Sequence, residues 1–134
     1  MTSPSFRLLA SVGGGVCLAL AAAWLLAPQA FLWLWRWDAG GAALPLGRRS
    51  AALFLGVGVT LLLARNAGPS TARDAIAVGF SVVCAALAAL GVYEVAAGHA
   101  GFGILAAVVV EAALAAAFAH NAAQKSGTRA GRPG

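Results

Sequence analysis

Few side chains in this chain could do chemistry, and Glu111 stands apart by its setting. It lies inside an apolar run from Phe102 to Ala119. Its depth is about nine residues, roughly 13 Å at ~1.5 Å per residue, from the start of that run. A carboxylate so deep in an apolar segment is costly, and an ionisable group there is a candidate functional site. Ala107 and Ala115 share its helical face, which directs it toward other helices. Two roles suit it. One is a proton relay or polar ligand site; the other is an interhelical hydrogen bond or ion pair that fixes packing. Arg48 and Arg49 are the candidate partners, at matching depth near the outer end of an earlier run. Thr60, on the small-residue face of that run, completes the candidate set.

The remaining reactive types read more plainly. Glu94 and His99 sit together beside Tyr93, but a metal site needs three protein ligands at defined spacing, so no metal is expected. His120 closes the fourth apolar run and suits a helix C-terminal dipole. Cys17 and Cys84 stand alone in apolar runs, without CxxC or Cys/His spacing, and read as small buried hydrophobes. There is no Ser/His/Asp arrangement and no paired-carboxylate motif. Gly56-x-Gly58 lacks the strand-turn-helix context of a phosphate loop. The expectation is a non-enzyme without a cofactor.

The elements that hold these residues follow from composition. Of 134 residues, 61% are hydrophobic and 10% charged. A soluble domain carries about 25% charged residues. Lipid removes the need for the missing polar surface, so a single membrane domain is expected. The net charge is +5, but the basic residues flank apolar runs and form no patch, which excludes nucleic acid as a partner.

Four spans are expected, at about 8–27, 46–65, 74–95 and 102–120. A run of about 20 residues covers a hydrocarbon core of ~30 Å. A signal peptide would carry a shorter apolar region, about 7–15 residues. Pro28 ends the first span. The segment Phe31-Leu-Trp-Leu-Trp-Arg-Trp37 is rich in tryptophan and reads as interfacial, although its alternation also fits a short strand. Asp38-Ala-Gly-Gly41 reads as a turn. The run from Ser50 to Ala64 is about 15 residues, too short to cross unaided. Starting at Pro45 makes it long enough and brings Arg48 and Arg49 into its outer end, where they snorkel or face inward. Asn66-Ala-Gly-Pro-Ser-Thr71 is a turn, with Ser70 or Thr71 as the next cap. Residues 1–123 form the domain, and residues 124–134 a disordered basic cytoplasmic tail.

Arg7, Arg65, Arg73, Lys125, Arg129 and Arg132 fall at one end, against Arg36, Arg48 and Arg49 at the other. The positive-inside rule therefore predicts an all-α, antiparallel up-down four-helix bundle with both termini in the cytoplasm. Close packing in lipid uses small residues. Four-residue spacing offers Ser11, Gly15 and Ala19; Ala52, Gly56, Thr60 and Ala64; Ala77, Ser81, Ala85 and Ala89; and Ala107, Glu111 and Ala115.

The first span ends in Ala27-Pro28. An outer loop leads into Leu46-Gly-Arg-Arg-Ser-Ala-Ala-Leu-Phe-Leu-Gly-Val-Gly58, and the hairpin Ala64-Arg-Asn-Ala-Gly68 precedes the third span. This pattern resembles the DoxX-like group of small four-helix bacterial membrane proteins, over about residues 8–120. Glu111 resembles the late-helix glutamate of some members. The resemblance implies a multi-pass protein of the bacterial inner membrane, and a link in a few members to quinone or thiosulfate redox complexes. The leading expectation is an accessory subunit of a larger membrane complex or a homo-oligomer in the bilayer. The alternatives are a small transporter or ligand-binding bundle centred on Glu111, and a subunit of a quinone-linked redox complex.

Overall fold

The computed structural model describes residues 5–36 and 43–130, the side chains of Ala43 and of residues 125–130 excepted. The Asp38–Gly41 turn lies outside the described residues. Five α-helices follow in order: α1 Phe6–Leu26, α2 Pro28–Trp35, α3 Ala43–Ala64, α4 Thr71–Ala96 and α5 Leu105–Ala130, with a 3-10 turn at Phe102–Ile104 before α5. No strand occurs among the described residues. α1, α3, α4 and the span Phe102–Gln124 are each long and apolar enough to cross a membrane. Their outward faces carry Leu53, Leu63, Val82 and Val109, all exposed. Lipid, rather than water, accommodates such a surface. The chain is a small multi-pass integral membrane protein with an all-α bundle.

Local chemistry sets the helix ends. The Ser5 hydroxyl caps α1 by accepting from the Leu8 amide at 3.4 Å, and Ser70 caps α4 by accepting from the Arg73 amide at 3.3 Å. Asp74 occupies the first turn of α4, where a negative charge suits the dipole. Pro28 does end α1, and it also opens α2, a position where its missing N–H costs nothing. The tryptophan-rich segment is thus a short helix and not a strand. α5 runs on to Ala130, beyond the expected end at 120 and into the tail expected to be disordered. The residues beyond His120 include good helix formers, and Gln124 Nε2 lies 2.7 Å from His120 Nε2 one turn back. His120 therefore sits mid-helix and does not meet a C-terminal dipole.

The four long helices pack as two hairpin-like pairs, α1 with α3 and α4 with α5, joined more loosely along α1 and α5. Each has a seam with spacing alternating four and three: Ala10, Gly14, Cys17, Ala21 and Trp24 on α1; Gly47, Ala51, Phe54, Gly58 and Leu61 on α3. Ala77, Ser81, Cys84, Ala88 and Gly91 continue the pattern on α4, and Ile104 at the end of the 3-10 turn with Val108, Glu111, Ala115 and Phe118 on α5. A mean of about 3.5 residues keeps one face toward its partner, as in left-handed bundles. α1 and α3 approach closely where Gly14 meets Gly58. A Cβ on either would stand 3.1 Å from the other's carbonyl oxygen. Across the second pair, the Ser81 hydroxyl donates to the Ala115 carbonyl at 2.8 Å.

Candidate functional site

The looser join between the two pairs leaves a cavity of about 560 Å³ within the bundle. Its floor is aromatic. Phe80 and Phe118 meet edge to face at 4.9 Å, and Phe6 meets Phe118 at 6.4 Å. Gly13 lets them converge: a Cβ there would stand 3.0 Å from the Phe80 ring. Below, the Arg73 guanidinium lies 4.3 Å from the Phe6 ring centre, and its Nη1 donates to the Ala67 carbonyl at 3.3 Å.

The opposite end is roofed by α2. Trp24 stacks on Phe31 at 5.0 Å, and Trp35 leans on both rings. Gly47 makes room for the Trp24 ring against α3. The Gly101 amide donates to the Trp35 carbonyl at 2.7 Å, so the roof is tied to the loop between α4 and α5. Phe31, Leu34 and Trp35 form its inner surface.

Glu111 lines the cavity from α5 and is half-buried. Ser50 is the one other lining residue with a side-chain oxygen. Cys17 and Cys84 also face the space, as free thiols. All other lining groups are hydrocarbon, aromatic ring or glycine. Among the described residues, Glu111 has neither an ion pair nor a side-chain hydrogen bond.

The other expected site residues lie elsewhere. Arg48 and Arg49 are exposed on α3, do not line the cavity and do not pair with Glu111. They stand one to two turns before the Phe54 level of the seam, off its inward face. Thr60 faces a separate groove between α3 and α4, and its hydroxyl donates to the Gly56 carbonyl at 2.9 Å. At the roof end, Glu94 Oε2 and His99 Nδ1 lie 2.9 Å apart, within hydrogen-bond distance, and no cluster of three metal-ligating residues exists among the described residues.

Sequence reasoning found the carboxyl and missed its surroundings. Ser50, the two thiols and the inner face of α2 are the additions. The available signal was the alternating four-and-three spacing, which puts Cys17, Cys84 and Glu111 on their seams. The arrangement offers one carboxyl, one hydroxyl and an apolar chamber. Such a chamber suits binding of an apolar molecule with one polar group. No family model, curated protein or solved structure matches this chain, so the chamber and its single carboxyl carry the functional reading.

Proposed function

We propose that the protein binds an apolar, lipid-dissolved molecule in the inter-hairpin cavity, with Glu111 receiving the ligand's polar head. One observation carries this reading: an intramembrane carboxyl with no ion pair or side-chain hydrogen bond among the described residues faces a chamber large enough for a ligand. Small-molecule sites span about 300–1,000 Å³ and combine apolar walls with few polar groups. A polar group in hydrocarbon is costly to leave unmatched, so a ligand head that hydrogen-bonds Glu111 would be stabilised there. Ser50 offers a second hydrogen bond near the same space.

We further place α2 and the loop between α4 and α5 on the outer face, with both termini in the cytoplasm, on the Lys and Arg asymmetry. Residence in the bacterial inner membrane rests on the resemblance to the DoxX-like group alone.

Native mass spectrometry of the protein extracted with its lipids tests the reading. The wild-type protein should retain a small-molecule adduct. Ala107→Trp, which fills the chamber from α5, should lose it. A wild-type protein free of adducts, or an adduct equally retained by Ala107→Trp, would overturn the proposal. A quinone as the adduct would bring the redox-complex reading forward, and a bound polypeptide the accessory-subunit one.

A further inference from the structure

A second space lies behind the α3 and α4 walls of the cavity. A groove of about 470 Å³ runs between these helices on the lipid side, and Leu53, Val57, Phe80 and Val83 line both spaces. Those four residues are therefore the shared boundary between chamber and bilayer. The groove stays open because its small residues leave room. A Cβ added at Gly56 or Gly79 would meet nothing within 4 Å. Its one hydroxyl, on Thr60, is already turned back to the Gly56 carbonyl at 2.9 Å, so the groove presents hydrocarbon. The floor of the chamber is formed by Phe80, backed by Phe118, and its roof by α2. The groove lies along the membrane spans, where the surrounding fluid is acyl chain.

We infer that the groove between α3 and α4 is the tail subsite of a long-chain amphiphile whose head occupies the chamber at Glu111. The inference rests on the chamber being a ligand site, and it adds the ligand's class and its route. The ligand is single-chained, enters sideways from the bilayer past Leu53 and Val83, and leaves its tail against Gly56 and Gly79. A compact polar solute from the aqueous phase would have no use for this groove. A phospholipid, with a charged phosphate head, would set an anion against the Glu111 carboxyl. A neutral, hydrogen-bonding head fits better.

The test uses a long-chain alcohol carrying a photoreactive diazirine near its tail end, with the full-length protein in lipid nanodiscs. Labelling should be saturable and should concentrate on α3 and α4 around Gly56, Thr60, Ile76 and Gly79. Gly79→Phe, which fills the groove where space is open, should reduce that labelling about tenfold without loss of the folded protein. Leu63→Phe, on the lipid-facing side of α3, should leave it unchanged. Labelling spread evenly over Leu63, Val109 and other lipid-facing positions would overturn the tail subsite. So would undiminished labelling in Gly79→Phe. The chamber reading is judged separately, by whether Ala107→Trp loses the native adduct. If Ala107→Trp loses that adduct while Gly79→Phe labels normally, the chamber stands and the groove falls.

Discussion

At the residue scale, Glu111 decides between a structural and a ligand-binding role. Breaking a buried ion pair costs about 3–5 kcal/mol, because the surviving charge is left unmatched. No such pair exists at Glu111 among the described residues, so no ion pair is lost when its charge is removed. Glu111→Gln should therefore change the unfolding free energy in detergent by less than about 0.5 kcal/mol, as substitutions away from specific contacts do. The same variant should weaken retention of the native adduct. A loss of several kcal/mol would restore the packing role and remove the ligand role. Ser81 makes the opposite case. Its hydroxyl bridges α4 to the Ala115 carbonyl on α5 at 2.8 Å, and bonds of this kind within membranes contribute about 0.6 kcal/mol on average. Ser81→Ala should destabilise by about that amount, measured by the same titration, and should leave adduct binding intact.

At the element scale, the spans were legible and their faces were not. Length and hydropathy locate α1, α3 and α4 to within a few residues and place α5 but not its far end, because the hydrocarbon thickness demands about 20 apolar residues whatever they pack against, and α5 runs on past them to Ala130. Packing faces need a phase, and alanine is too common here to supply one. Strict four-residue spacing also advances about 40° per step around a helix of ~3.6 residues per turn, so it leaves the contact face within two or three steps. On α4 it holds for Ala77 and Ser81, then fails at Ala85 and Ala89, which are exposed. On α3 it selects Ala52, Gly56 and Thr60, which line the groove instead of touching α1. On α1 it selects Gly15, one residue away from Gly14, which makes the contact with Gly58. That one-residue difference is measurable. Gly14→Val forces a side chain against Leu62, and overpacking of this kind costs about 1–3 kcal/mol. A Cβ at Gly15 would meet nothing within 4 Å, and Gly15→Val should be nearly neutral in the same thermal or detergent titration. Equal effects at the two positions would place the α1–α3 contact on the wrong face.

At the scale of the whole molecule, the aromatic floor and the α2 roof fix which helix ends lie together. Phe6 opens α1, Arg73 lies in the first turn of α4, and Phe118 belongs to the later half of α5, yet the Phe6 ring contacts both partners. At the far end, the Trp35 carbonyl from α2 meets the amide of Gly101. The start of α1, the α3–α4 turn and the end of α5 therefore share one end of the bundle, and the α4–α5 loop lies at the other. Residues exposed at these ends make the arrangement testable in a variant with Cys17 and Cys84 replaced by alanine. In intact cells, a membrane-impermeant maleimide should reach Ala97→Cys and should reach Ser5→Cys and Asn66→Cys only after permeabilisation. Reaction of Ser5→Cys and Ala97→Cys from the same side would break the up-down order of the helices. Reaction of all three with the sides exchanged would keep the bundle and its cavity but reverse the proposed orientation. In that event, the roof formed by α2 would face the cytoplasm, and the Lys and Arg asymmetry would not be what oriented the chain.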